Sequence, residues 1–518
     1  MARTFRLSGT HSRILAAAIT AALLAGCGSD DDPADNTPTP PPQPVACADL
    51  ANSALDLTTI SEATEVPASA ENATPYCRIV GVINAEEGSV INVEYRLPED
   101  WNGKFLVQGM GGFAGSISDA QLMRGVSRGY ATAMTDTGHQ GPGSDASWAM
   151  TADGKHDMPK IDDYADRSTH LLTTVGKKLV ELHYGDTARY SYFEGCSGAG
   201  RQGMAAMQRF PEDFDGIIAG APAMELSKIA TSWIWQTHAL HSGNFPTITA
   251  AQLTNLQTTY VQACDASDGV VDGLVTDPRA CNWDPVAAQC PAGGEECLSP
   301  EQVEAVKLVY QGPRDSWGNQ LYPQHHAGGE SGWIRWMGVG DAPRTTGDGG
   351  NYGAQFMRYW VNLDSSYDTM TFDFDTDPQK LNNSLVATRL DTTTPDMSGF
   401  IERGGKMIMY HGWVDSAFTP QRSINWYESV LQHHGKAAQE NARLFLVPGM
   451  DHCRGGPGLD NFDALEALEN WVEKDEAPES INGTQTSTGL VRPVCAYPTS
   501  AKFTGEGDAT DPANFECS

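Results

Sequence analysis

The segment Tyr192-Phe193-Glu194-Gly195-Cys196-Ser197-Gly198-Ala199-Gly200 ends an apolar run in a turn of small residues with a serine at its apex. Such a turn lifts a hydroxyl clear of a sheet at the start of a helix, and it needs small neighbours on both sides. Gly195 and Ala199 stand two residues before and two after Ser197. A hydroxyl attacks a carbonyl only when a base takes its proton and an acid orients that base. Two later segments supply both, each closing an apolar run: Tyr410-His411-Gly412-Trp413-Val414-Asp415 and Val447-Pro448-Gly449-Met450-Asp451-His452-Cys453. We take Asp415 as the acid and His452 as the base. The other pairing, His411 with Asp451, is disfavoured because Asp451 adjoins His452, and neighbours on an extended segment point apart.

The order Ser197, Asp415, His452 is that of α/β-hydrolases. Attack on a carbonyl also needs donors for the developing oxyanion. Gln108-Gly109-Met110-Gly111-Gly112-Phe113 follows an early strand, so the N–H groups of Gly111 or Gly112, with that of Gly198, are the expected donors. Cys196 precedes the nucleophile and Cys453 follows the base, and a bond between them would tie Ser197 to His452. Further along, Asp265, Asp268 and Asp272 fall within eight residues around glycines. With the carbonyls of Val270 and Leu274 they offer the oxygen set a calcium ion takes, although the spacing departs from the EF-hand and lacks its final Glu.

The elements that must position these groups alternate. Strands are predicted at Ser89 to Leu97, Lys104 to Val107 and Tyr130 to Met134. A helix follows from Tyr164 to Tyr184, with Leu172, Val175, Leu179 and Leu182 on one face. Strand Arg189 to Glu194 runs into the serine turn, then helix Arg201 to Phe210 and strand Phe214 to Ala219. The rhythm returns after Phe400 with strand Lys406 to Tyr410, helix Pro420 to Gln432, strand Ala442 to Val447 and helix Asp460 to Lys474. We expect an α/β fold, an α/β-hydrolase core at 46–223 and 395–518, interrupted by a lid at 224–394 rich in polar loops, Gly and Trp. The tail from Ser480 should add short strands.

Arg3, Arg6 and Arg13 precede an apolar run, Ile14 to Leu24, too short to span a bilayer, and then Leu24-Ala25-Gly26-Cys27. Residues 1–26 therefore read as a secretory signal of lipoprotein type with Cys27 lipidated, and 27–45 as a Pro- and Asp-rich tether. Gly28 does not resemble the Asp of inner-membrane retention, so the outer membrane is expected ahead of the inner, with a secreted periplasmic or extracellular protein as the alternative. The formal charge is -32, and losing three arginines and no acid with residues 1–26 makes it -35. Such a surface repels phosphate backbones and anionic membranes, which excludes nucleic-acid binding and leaves the anchor as the membrane contact.

Eleven cysteines leave ten after Cys27, an even set for an oxidising compartment. Cys264 with Cys281, Cys290 with Cys297 and Cys495 with Cys517 close short loops, and no paired C-x-x-C spacing points to zinc.

Three marks, Gly195-Cys196-Ser197, Gly412-Trp413-Val414-Asp415 and His452-Cys453, resemble the tannase and feruloyl esterase family, which also contains the hydrolase of mono(2-hydroxyethyl) terephthalate. The resemblance runs from about Cys47 onward. It implies bonds Cys196–Cys453 and Cys47–Cys77 and the three local pairs, and calcium in the lid at Asp265 to Leu274. It also implies a serine carboxylesterase that cleaves small aromatic esters, of hydroxycinnamic or gallic type, through an acyl-enzyme on Ser197. Terephthalate monoesters are the alternative substrates. The competing class, a non-catalytic calcium-stabilised surface lipoprotein that binds phenolics or glycans, is opposed by the intact Ser, Asp and His. Family members usually carry Thr-Gly-Gly where this chain has Gly198-Ala199-Gly200, and Gly where it has Met110; both departures touch the oxyanion region. Trp333, Arg335, Trp336, Phe356 and Arg358 are the lid's candidates for substrate contact. Oligomeric state is left open.

Overall fold

The computed structural model describes residues 43–69, 73–291, 294, 296–341 and 347–518. The signal segment, Cys27 and most of the tether lie outside the described residues. The strands of the central sheet are β1 (Thr58–Val66), β2 (Tyr76–Ile83), β3 (Ile91–Pro98), β4 (Lys104–Gln108), β5 (Ala131–Thr135), β6 (Tyr190–Cys196), β7 (Gly216–Gly220), β8 (Lys406–Gly412) and β9 (Ala442–Val447). Their spatial order is β1-β2-β3-β5-β4-β6-β7-β8-β9. The strands from β1 to β5 in that order pair antiparallel, and β5, β4, β6, β7, β8 and β9 pair parallel. This is an α/β-hydrolase sheet. Parallel strands are covered on both faces, which is why β7 reads Gly-Ile-Ile-Ala-Gly and is buried throughout.

Seven strands fall where apolar runs predict them. The hairpin β1–β2 was not expected, because β1 is an edge strand that is largely exposed and carries Glu62 and Glu65 in place of an apolar run. Helices Ser168–Tyr184, Gly198–Arg209 and Gln421–His434 cover one face, burying Leu172, Met204 and Ile424 in one cluster with Phe193 and Met409. Helix Ala464–Lys474 covers the other with Leu468 and Trp471.

Between β7 and β8 the chain is more helical than its polar composition predicts. Helices Leu226–His241, Ala250–Cys264, Pro300–Gln311 and Asp348–Phe356 organise it. Two announce themselves by capping boxes, Thr249 with Gln252 and Ser299 with Gln302, in which each end satisfies the other's free N–H. These helices share a buried cluster with the mouth of the sheet, where Trp233, Ile234, Trp336 and Phe356 meet Phe113 and Phe418. The tail forms two hairpins, Ser480–Thr484 with Val491–Cys495 and Ala501–Phe503 with Phe515–Cys517. Disulfides join Cys47–Cys77, Cys196–Cys453, Cys264–Cys281, Cys290–Cys297 and Cys495–Cys517. Among the described residues no helix is long and apolar enough to cross a membrane.

Candidate active site

Ser197 sits between β6 and helix Gly198–Arg209 with φ 66° and ψ -124°, a conformation costly for any residue with a side chain and held here from three sides. Its N–H donates to the Gly220 carbonyl at 2.9 Å, and its carbonyl accepts from Arg201 N at 3.0 Å and from Ala223 N at 3.1 Å. The small neighbours are required by contact. A methyl group on Gly195 would lie 2.6 Å from the Ala199 Cβ, and one on Gly198 only 2.4 Å from the Gly112 carbonyl oxygen. The loop after β4 thus presses directly on the residue that follows the serine. Gly111 faces the same turn, where an added Cβ would stand 3.9 Å from the Ser197 Cβ.

That close approach orients the loop. Gly112 has φ 61°, its carbonyl accepts from the Tyr164 hydroxyl at 3.0 Å, and Phe113 N donates to Gly143 O at 2.7 Å. Among the described residues no acceptor takes the N–H of Gly111 or Gly112. Gly198 at the first helical position has no acceptor within its own helix. Three donors are thereby left for a charge developing beside Ser197. The departure from Thr at position 198 acquires a physical reason: no Cβ fits there. Gly198→Ala is expected to lower kcat for an activated aryl ester about 100-fold with KM nearly unchanged, since it displaces the loop and not the binding walls. Wild-type kcat in that variant would show that the loop contact is irrelevant to turnover.

His452 and Asp415 come from the turns after β9 and β8. His452 Nδ1 donates to Asp415 Oδ2 at 2.8 Å, the tautomer following because an ionised carboxylate only accepts. Asp415 Oδ1 accepts from Ala417 N and Phe418 N at 2.8 and 3.1 Å. Burial opposes ionisation of Asp415, but His452 and His411 overcome it and hold the carboxyl below the ordinary carboxylate range. Trp336 and Phe418 pack edge-on against the His452 ring, with centroids 4.9 and 4.8 Å away. The pairing of His411 with Asp451 is not formed. His411 is buried behind Asp415, and Asp451 Oδ1 accepts from Ser416 N at 2.8 Å.

Ser197 and His452 line one cavity of about 700 Å³ with Gly111, Gly112 and Gly198. The Cys196–Cys453 bond joins its two sides at a Cα separation of 6.0 Å. Of the lid candidates, Arg335 and Trp336 line this cavity. Trp333 packs on Tyr310, Phe356 packs on Trp360, and Arg358 donates to the Tyr367 carbonyl. Trp233, Tyr352 and Phe418, not singled out from the sequence, complete an aromatic wall. Trp233 and Trp336 stand 5.4 and 6.3 Å from Tyr352, and burial pushes the Tyr352 hydroxyl up to about 12. Only the clustering of Trp and Tyr in the lid hints at that wall, since no local spacing joins residues this far apart.

In the loop Asp265 to Leu274, Asp265 accepts from the N–H groups of Asp272, Gly273 and Leu274 at 2.9 to 3.2 Å, and Asp268 from Val270 N at 3.1 Å and from Thr276 Oγ1. Asp272 pairs with Arg492 at 2.6 Å. Burial raises Asp268, and repulsion by Asp272 and Asp265 adds to it. One arginine thus faces three half-buried or buried carboxylates, a charge deficit and oxygen set that fit a hard dication.

Residues 77–518 match the model of the family described as tannase and feruloyl esterase. An uncharacterised esterase of Xanthomonas campestris pv. campestris is 35% identical, covering 91% of each chain. The mono(2-hydroxyethyl) terephthalate hydrolase of Piscinibacter sakaiensis is 35% identical over 88% of this chain and 87% of that one. Among solved structures, feruloyl esterase B from Aspergillus oryzae superposes with a TM-score of 0.81 at 27% identity, covering 90% of this chain and 98% of that one. Tannin acyl hydrolase from Aspergillus niger gives 0.76 at 25%, covering 90% and 92%.

Proposed function

The chain belongs to the tannase and feruloyl esterase family and is a carboxylic ester hydrolase, and we propose that it works by a serine mechanism on esters of aromatic carboxylic acids of hydroxycinnamic or gallic type. The observation that carries this is the His452–Asp415 hydrogen bond at 2.8 Å on the rim of an aromatic-walled cavity that also holds Ser197. Membership of an esterase family sets aside the non-catalytic binder. Ser197 Oγ attacks the acyl carbon while His452 Nε2 takes its proton and then returns it to the leaving alcohol. Asp415 keeps the imidazole in the required tautomer and stabilises its charged form. The N–H groups of Gly198 and of Gly111 or Gly112 hold the oxyanion. Water then repeats the sequence on the acyl-enzyme.

Terephthalate monoesters are the second candidate substrates. Besides the Piscinibacter relative, Arg335 lies on the cavity wall with its guanidinium 4.8 Å from the Trp336 centroid; it is already paired with Asp348 at 3.0 Å, so a second substrate carboxylate would have to share that arginine. Methyl ferulate, methyl gallate and mono(2-hydroxyethyl) terephthalate compared as kcat/KM on one preparation decide between them. A ratio above about 100 for either class settles the acyl group, and no turnover of any of the three rejects the aromatic-acid proposal.

We also infer calcium at Asp265, Asp268 and Asp272 with the carbonyls of Val270 and Leu274, as a brace for the lid with no part in the chemistry. Saturating calcium contributes about 2.7 kcal/mol at a hundredfold excess over its dissociation constant. Chelation is therefore expected to lower Tm by about 3–5 °C, with calcium restoring it and kcat at 25 °C unchanged. A Tm indifferent to chelator, measured after exhaustive dialysis, would reject the site. Five disulfides fit export to an oxidising compartment. The Leu24-Ala25-Gly26-Cys27 segment supports a lipid on Cys27, which mass spectrometry of the mature N-terminus tests.

A further inference from the structure

Asp415 Oδ2 serves two imidazoles. His452 Nδ1 stands 2.8 Å from it on the cavity side, and His411 Nε2 stands 3.1 Å from it on the far side. The His411 side chain is 1% exposed and that of Asp415 is 0% exposed, so both are shielded from bulk solvent. His411 Nε2 also faces the Phe418 carbonyl oxygen at 3.2 Å. Both of these neighbours are acceptors, so Nε2 carries the hydrogen, and Nδ1 is left to accept from the Ser423 hydroxyl at 2.8 Å. Ser423 is packed at the start of helix Gln421–His434. A run of polar contacts therefore leads from the start of a helix through Ser423, His411 and Asp415 to His452, with hydrogen bonds at both ends and a 3.1 Å charge-pair contact between His411 and Asp415 in the middle.

The lone pairs of Asp415 are fully used. Oδ1 is fixed by Ala417 N and Phe418 N, which set where the carboxylate sits but leave it free to tilt. His411 restricts that freedom, because its Nε2 and His452 Nδ1 stand 3.1 and 2.8 Å from the same oxygen. It also draws charge from the carboxylate, and so moderates the pull of Asp415 on a protonated His452.

We propose that His411 is a positioning residue of this active site, the second imidazole that aims Asp415 at His452 and limits the charge Asp415 places on it. The inference rests on the serine-esterase mechanism proposed above. Other titratable groups face the cluster. His325, close enough to bond the Asp415 backbone, is held neutral by burial, which lowers it to about 4. Its Nε2 lies 2.8 Å from Gln236 Nε2. His326 beside it is lowered likewise, and burial raises the Tyr322 hydroxyl. Asp451 is raised by burial and by Asp415, and Arg422 is paired with Glu225 at 2.6 Å. None of these supplies Oδ2 with a donor.

The test uses the full chain with His411→Leu, His411→Gln and Ser423→Ala, each checked for native circular dichroism. The readouts are the pH profiles of kcat/KM for an aryl ester and of the inactivation rate by a fluorophosphonate. His411→Leu is expected to lose about 10- to 100-fold in kcat with KM within about threefold. Its acidic limb should move up by about half to one pH unit, since Asp415 with one donor fewer holds the protonated base more tightly. Gln, whose amide N–H reaches the same oxygen, should return the limb and most of kcat. Ser423→Ala, which releases the ring's tautomer, should move the limb part-way, and it decides the matter together with His411→Gln if His411→Leu does not fold. A limb unmoved in the folded Leu variant, or unmoved in Ser423→Ala, or not restored by Gln, overturns the role of His411 while normal labelling leaves the esterase mechanism intact. Absence of fluorophosphonate labelling in the wild type overturns the mechanism, and the proposal with it.

Discussion

Ser197→Ala is expected to cut kcat by about five to six orders of magnitude, to a residue still some thousandfold above water that the oxyanion donors and the binding walls sustain. The size follows from the division of labour in the site. Ser197 puts the proposed nucleophilic hydroxyl in the cavity on a strained turn, and without its oxygen no acyl-enzyme forms. KM should change little, because the aromatic wall of Trp233, Trp336, Tyr352 and Phe418 and the Gly111–Gly112 loop remain in place. The folded state should be about as stable, since the backbone N–H and carbonyl of Ser197, which the substitution leaves in place, are what tie the turn to Gly220, Arg201 and Ala223. Purified variant assayed beside wild type, with fluorophosphonate labelling and intact mass, checks both halves. Undiminished aryl-ester hydrolysis by the pure variant, or a probe adduct still forming at an equal rate, would remove Ser197 from the mechanism.

The side chains proposed for catalysis were legible because each sits in a local signature. Close packing of the turn demands Gly195, Gly198 and Ala199, and these residues mark Ser197 in the sequence as they do in space. Asp415 and His452 follow apolar runs that become β8 and β9, and groups at the C-terminal ends of adjacent parallel strands converge by topology alone. The apolar runs placed the sheet for the same reason: strands covered on both faces have no polar side to disguise them. What is held by long-range contact was not legible. In the lid, helices Ala250–Cys264 and Pro300–Gln311 bury single faces and carry capping boxes as their local signal, whereas Leu226–His241 is buried on most sides but its Ser, Thr, Gln and His break up the apolar pattern. The aromatic wall joins Trp233, Trp336 and Tyr352 of the insertion to Phe418 of the core, and no spacing rule connects Trp233 to Tyr352 or either of them to Phe418. His411 is weighed as a base, with Asp451 as its acid, because it too closes the apolar run that becomes β8. That the imidazole turns toward Ser423 and not toward Ser197 depends on which side of the β8 turn the carboxylate occupies, which the order of residues does not encode.

Breaking the Cys196–Cys453 bond is expected to cost more activity than breaking any other bridge, and the reason is positional before it is energetic. In the chain-entropy account a bridge spanning 257 residues restrains the unfolded chain by about 5–6 kcal/mol, against about 2–3.5 kcal/mol for spans of 7 and 22 residues. All of these concern the unfolded state, however, and alone predict only an ordering of Tm. The geometry adds something to Cys196–Cys453 that the other bridges lack. Its two residues adjoin Ser197 and His452, and Cys453 itself has φ 65°, so two left-handed residues are held within one covalent ring. Relaxing either by about 1 Å changes the Ser197–His452 approach, and displacements of that size cost about 100-fold in rate. The double variant Cys196→Ala/Cys453→Ala, assayed well below its Tm, is therefore expected to lose at least about 100-fold in kcat while binding a product-like aromatic acid almost normally. Cys290→Ala/Cys297→Ala and Cys495→Ala/Cys517→Ala should keep kcat within about threefold and show their effect in Tm. Using Ala at both positions leaves no free thiol to form new bridges, and the kcat–Tm comparison separates the two roles. Equal losses of kcat for all three pairs in folded protein would mean that the bridge beside the nucleophile only stabilises, and that the turn and the strand ends hold the site by themselves.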